Sequence, residues 1–171
     1  MEICETNKLS ERIKDFHLPK YNEIPNVGLY LEQTSKYISE SLSPIFSNAI
    51  TGSMISNYVK KGLVSNPIKK QYDREQIAYL IFITIVKTVL SMDDIKLCID
   101  IQKKSYDAVT AYNYFSEEFE TLISYIFDAK PIPEETNIDF TQEKRMLRNI
   151  IITVAHKIYL EKYFDLIDQK N

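Results

Sequence analysis

Hydrophobic positions in this 171-residue chain recur mostly at helical spacing, and helix start and stop signals punctuate them. A first short helix is expected over Asn7 to Phe16. Pro19 and Pro25 then bracket a linker, His17 to Asn26, and Pro25 fits the first turn of a second helix reaching about Ser41. That helix carries Leu29, Leu31, Tyr37, Ile38 and Leu42, and Ser43-Pro44 stops or kinks it. Thr51 to Lys61 reads as a short helix with Thr51 as N-cap and Gly62 as C-cap. Leu63 to Tyr72 contains Asn66-Pro67 and two lysines, which suits a short hairpin or loop. Asp73 with Gln76 forms a capping box that opens a helix from Arg74 to Leu90, and Ser91 with Asp94 opens another from Met92 to about Lys104. An aromatic-rich helix follows from Ser105 or Asp107 to about Asp128. Ala129 to Asp139, with Pro131 and Pro133, is the clearest linker, and Thr141 starts a last helix to about Asp168.

These elements predict an all-α protein with at most a short two-stranded wing. The expected division is 1–45 as N-terminal helices supporting the core, 46–104 as a winged helix-turn-helix, and 105–171 as helices for packing, dimerisation or effector binding. Composition agrees: 44% hydrophobic and 26% charged residues allow a core, and 3 glycines disfavour tight-turn-rich sheet folds. The longest apolar run, Ala78 to Leu90, is interrupted by Lys87 and falls short of the roughly 20 residues a bilayer requires. A cytoplasmic protein without membrane contact is expected, with Cys4 and Cys98 as reduced thiols.

The helix from Thr51 divides into two faces. Met54, Ile55, Tyr58 and Val59 form an apolar stripe, while Ser53, Ser56, Asn57, Lys60 and Lys61 share the opposite side. Serine and asparagine can hydrogen-bond base edges, and lysines reach phosphates. By itself this is the pattern of any amphipathic surface helix. Charge distribution sharpens it. Net charge is −3, yet Asn57 to Ser91 holds six bases (Lys60, Lys61, Lys69, Lys70, Arg74, Lys87) against two acids (Asp73, Glu75). A locally basic segment in an acidic chain suits a confined phosphate-facing patch.

The order of parts points further. Met54-Ile55-Ser56-Asn57-Tyr58-Val59-Lys60-Lys61-Gly62-Leu63-Val64 resembles the recognition helix and exit of the mercury-resistance-regulator (MerR) superfamily, which carries an aromatic at the position of Tyr58 and then a basic-Gly-Leu turn. Lys70-Gln71-Tyr72 resembles its wing step, and Ser91-Met92-Asp93-Asp94-Ile95-Lys96 the start of the helix after the wing-flanking one. A narrower resemblance spans Leu18 to Ile101. It rests on Leu18-Pro19-Lys20-Tyr21 leading to Ile24-Pro25, on Ser53 to Leu63, and on Tyr72-Asp73-Arg74-Glu75-Gln76-Ile77-Ala78-Tyr79-Leu80-Ile81. These runs are similar to an uncharacterised bacterial family with a MerR-like helix-turn-helix.

The resemblance implies double-stranded DNA as partner, a homodimer, and transcription regulation. Ser53, Ser56 and Asn57 would face bases, Lys60, Lys61, Lys69 and Lys70 would hold the backbone, and Tyr58 would be mostly core. In the superfamily Arg and Tyr often stand where Ser56 and Asn57 do, so the phosphate grip implied here is weaker. The competing expectation is a helical protein-interaction module on the same scaffold without DNA binding.

Other residues carry less. Cys98 lacks a ligating neighbour in sequence, His156 falls among Ile151, Val154 and Ile158 as a half-buried or interface residue, and no metal spacing, phosphate loop or catalytic constellation is visible. No enzyme activity and no cofactor are expected; an effector is left open. The aromatics of the helix after Ser105 could line a pocket but suit packing better. In the last helix Leu147, Ile151, Val154 and Ile158 step by 4, 3, 4, a seam for a bundle or a dimer.

Overall fold

The computed structural model describes residues 2–136 and 139–169, with side chains from Asn7 onward. The Cys4 thiol therefore lies outside the described side chains, as do Asn137 and Ile138 of the expected linker. Among the described residues the chain is mostly helical, and its strands form one two-stranded antiparallel sheet. The order is α1 (Glu2–Ile13), β1 (Leu29–Tyr30), α2 (Leu31–Leu42), α3 (Gly52–Lys60), β2 (Gln71–Tyr72), α4 (Arg74–Val86), α5 (Met92–Ser105), α6 (Ala108–Phe127) and α7 (Gln142–Asp168). The expected all-α fold with a small wing is what forms. No helix among the described residues is long and apolar enough to cross a membrane.

Capping signals fix most boundaries. Asp73 accepts a hydrogen bond from Gln76 N at 2.8 Å, and the Gln76 side chain accepts one from Asp73 N at 2.8 Å. Ser91 Oγ accepts from Asp94 N, and Thr141 Oγ1 from Lys144 N. Each side chain satisfies a backbone donor that the first helical turn leaves without a partner.

The start of α2 departs from expectation. No helix begins at Pro25; β1 pairs with β2, Leu29 opposite Tyr72 and Tyr30 opposite Gln71, which holds that stretch extended. Gly28 lies so close to the second strand that a Cβ would meet Gln71 Cβ at 2.7 Å, so only glycine fits. The helix then begins at Leu31, with the Gln33 side chain accepting from Tyr30 N at 2.9 Å.

His17 to Asn26 is likewise no solvated linker. Leu18 and Ile24 are fully buried, and a single 3-10 turn covers Tyr21–Glu23. Tyr112 Oη donates to Pro19 O at 2.7 Å, and Arg74 Nε donates to Ile24 O at 2.8 Å. Polar side chains far along the chain thus satisfy its backbone carbonyls, which lets the segment enter the core.

Two compact units result. His17–Ser116 forms one, and the residues up to Phe16 with those from Glu117 form the other. In the first, α4 is buried nearly all round, through Ile77, Leu80, Ile81, Ile83, Ile85 and Val86, and ends at Val86 rather than Leu90. A helix apolar on every side must be central; α2 packs on both α4 and α3. Phe82 meets Phe115 edge-to-face at 5.1 Å between centroids.

In the other unit α1 packs on α7, with Leu9 and Ile13 buried and Ser10 Oγ donating to Phe127 O at 2.9 Å. Phe119 and Phe127 are fully buried, and Phe119 meets Phe16 edge-to-face. The α6 aromatics expected to pack do so at Tyr112 and Phe115 in the first unit and at Phe119 and Phe127 in this one. Arg148 pairs with Glu118 at 3.0 Å and with Glu135 at 3.2 Å, tying the segment before α7 onto that helix. The seam through Ile151, Val154 and Ile158 is buried within the unit, whereas His156 is exposed rather than half-buried.

Candidate nucleic-acid interface

At nine residues, α3 is too short to persist alone, so its position depends on docking. Thr51 Oγ1 accepts from Met54 N at 3.3 Å at its start. Its end is a Schellman motif: Leu63 N donates to Tyr58 O at 3.0 Å and Gly62 N to Val59 O at 3.0 Å, with Gly62 at φ +75°. Ile55 is 0% and Tyr58 4% exposed, so the apolar stripe faces the core.

Ser53, Ser56, Asn57, Lys60 and Lys61 are all exposed on the other side. Their side chains make no hydrogen bond or ion pair with any described residue, so the polar donors and acceptors of this face remain available. The Tyr58 ring is core, and burial raises its hydroxyl pKa above the ordinary value. Lys60 and Lys61 sit at the negative end of the helix dipole, which favours them there. Glu32 lies beside Gly52 at the opposite end, where an acid suits the positive end.

Beyond Leu63 the chain forms the wing. Ile68 and Gln71 exchange both backbone hydrogen bonds, at 3.1 and 2.9 Å, around the two-residue loop Lys69-Lys70. Both lysines adopt left-handed backbone, φ 50° and 65°. That is the geometry of a type I′ hairpin turn, where Asn-Gly is preferred and a larger residue costs roughly 1–2 kcal/mol. Two adjacent exposed cations held in a costly conformation are a feature expected at functional sites.

The base of the wing is clasped by Gln76, whose Nε2 lies 3.0–3.1 Å from Ser65 O, Ser65 Oγ and Asn66 O. We predict that replacing Lys69-Lys70 with Asn-Gly raises unfolding free energy by about 1–2 kcal/mol in urea denaturation. The same change removes the tip's positive charge.

The structure also sorts the six bases of this segment. Arg74 donates to Ile24 O and Asn22 O and sits over the Tyr21 ring. Lys87 Nζ donates to Ala49 O at 2.7 Å, and burial lowers its pKa. Both are committed to the fold, leaving Lys60, Lys61, Lys69 and Lys70 as the exposed cations. Sequence spacing could not separate the two groups, because the partners of Arg74 and Lys87 are distant in sequence. It also passed over Tyr30 and Ile68. Both are exposed and lie directly across from Gln71, hence on its face of the small sheet. The signal was an isoleucine beside paired lysines.

Elsewhere the ionisable groups offer little. Cys98 is half-buried, and burial, followed by the nearby Asp94, raises its thiol pKa, which disfavours a reactive thiolate. Among the described residues no group of His, Cys, Asp and Glu side chains could hold a metal ion.

The fold and this surface define a class: a small helical domain in which a short helix docks on α2 and a hairpin is held against the start of a buried central helix, α4. Residues 19–115, more than half of the chain, match the model of a family described as a domain of unknown function, DUF1836, and the protein belongs to that family. The matched span coincides almost end to end with the compact unit His17–Ser116, so α1 and α7 lie outside it. Comparisons with curated proteins and with solved structures find no match.

Proposed function

We propose that the protein is a cytoplasmic DNA-binding transcription regulator that acts as a homodimer. In this reading α3 enters the major groove. Ser53, Ser56 and Asn57 meet base edges, Lys60 and Lys61 the flanking phosphates, and Lys69 and Lys70 the backbone beside the groove. Tyr58 holds α3 in place from the core side.

One observation carries the reading: a docked helix turns outward a polar, partly basic face that no described part of the chain covers, while the other nearby bases are tied up internally. The order of helix, wing and capped helices, similar to that of MerR-type regulators, supports it as well. A single helix of this size makes few base contacts, so affinity must come from two copies on two half-sites.

The decisive experiment is a gel-shift selection with random duplexes, repeated across salt concentrations. Enrichment of a two-half-site sequence is expected. Replacing Lys60 and Lys61 with alanine should weaken binding and flatten the dependence of log affinity on log salt by about two units, roughly one per lost phosphate contact. Retention of no duplex at low salt would overturn the proposal and favour a protein-interaction module. An unchanged salt slope would remove both lysines from the interface.

A further inference from the structure

The last two turns of α7 break the amphipathic pattern that precedes them. Ile151, Val154 and Ile158 face inward, and Leu166 continues that side. Yet Leu160 is 48%, Phe164 57% and Ile167 36% exposed. With Thr153 and Lys157 these residues step 4, 3, 4, 3, a heptad seam on the outside of the helix. Three large apolar side chains exposed in register on one helix face mark an association surface.

We infer that this seam pairs antiparallel with the same seam of a second copy of the chain. Heptad layers then match under one two-fold axis at Lys162: Phe164 packs on the partner's Leu160, and Ile167 on the methylenes of the partner's Lys157. Charge selects the orientation. Lys157, paired with Glu161 of its own helix, stands at one end of the segment, and Asp165 and Asp168 at the other.

Antiparallel packing brings opposite charges together, whereas parallel packing would stack Lys157 on Lys157 in the seam. Asp165 and Asp168 also lie in the last turn of α7 and oppose its dipole, beside Arg12 of α1, which donates to Lys162 O and Gln169 Oε1. A cationic neighbour from a second chain adds to that relief. The inference names the surface behind the dimer of the proposed function.

Sedimentation of the full chain across a concentration series, without DNA, tests it. A dimer is expected for the natural sequence. Phe164→Glu should raise its dissociation constant about a hundredfold or more, as expected for an anchor residue at the centre of a small interface. Helical circular dichroism should be unchanged. Leu160→Lys should act the same way and serves if the first variant misfolds.

Orientation is read in a Cys4→Ser, Cys98→Ser background. Glu161→Cys lies near the axis and should join its counterpart through a short bifunctional thiol reagent. Asp168→Cys copies would be about 18 Å apart along the axis and should stay unlinked. A monomeric natural chain, or a Phe164→Glu dimer of unchanged affinity, overturns the inference. Linking of the Asp168→Cys copies, which parallel pairing brings together, overturns the orientation. Since no DNA is present, failure of duplex binding would leave these outcomes intact.

Discussion

Replacing Ser56 and Asn57 together with glutamate is expected to lower affinity for the selected duplex about a hundredfold, which corresponds to roughly 3 kcal/mol. Unfolding free energy should stay within about 0.5 kcal/mol of the natural protein, as for surface substitutions generally. Both residues are exposed, and their side chains bond to no other described residue, so no structural contact is lost. What changes is the charge offered to a polyanion at the centre of the proposed contact. Two carboxylates there would repel phosphates and could accept hydrogen bonds only from the amino groups of cytosine or adenine. The measurement is a titration by fluorescence anisotropy at two salt concentrations, beside urea denaturation of the same preparations. Unchanged affinity would place the contact surface elsewhere, whatever the lysine variants do.

Much of this surface could be read from residue order alone, because it depends on neighbours close in sequence. Thr51, Asp73, Ser91 and Thr141 cap as their spacing predicts, since a cap reaches only two or three residues ahead. The two faces of α3 follow from 3.6-residue periodicity, and Gly62 ends the helix because a left-handed position favours glycine. Long-range pairing was not legible. Pro25 suits a helix start locally, yet the sheet contact of Leu29 with Tyr72 overrides it. Lys69-Lys70 carries no turn signal; the left-handed turn forms because Ile68 and Gln71 pair across it and Gln76 clasps its base. In α7, periodicity found the inward seam but not the outward one, since Leu160, Phe164 and Ile167 follow the same heptad steps on another face. Apolar spacing shows which residues share a face, but not which face a neighbour covers.

The inner side of α3 yields the converse expectation. Ile55→Ala should cost about 2–4 kcal/mol, the range for truncating a fully buried isoleucine. The lost methyl and methylene groups leave a cavity that the surroundings cannot easily fill. Tyr58, about one turn further along the same helix, is buried too, α2 packs on α3, and α4, which also packs on α2, is buried almost all round. Backbone rearrangement to close the gap would break the Schellman bonds of Tyr58 and Val59 at the helix end. Because α3 cannot persist undocked, its amides should lose hydrogen-exchange protection before those of α4, the most buried helix of the unit. Ser53→Ala on the outer side should change stability by no more than about 0.5 kcal/mol. At temperatures where both variants remain folded, Ile55→Ala should bind duplex within a few-fold of the natural protein, unlike the double glutamate variant. An Ile55→Ala cost below about 1 kcal/mol would mean that α3 is not held by its apolar stripe. The outward presentation of Ser53, Ser56 and Asn57 would then lose its physical basis.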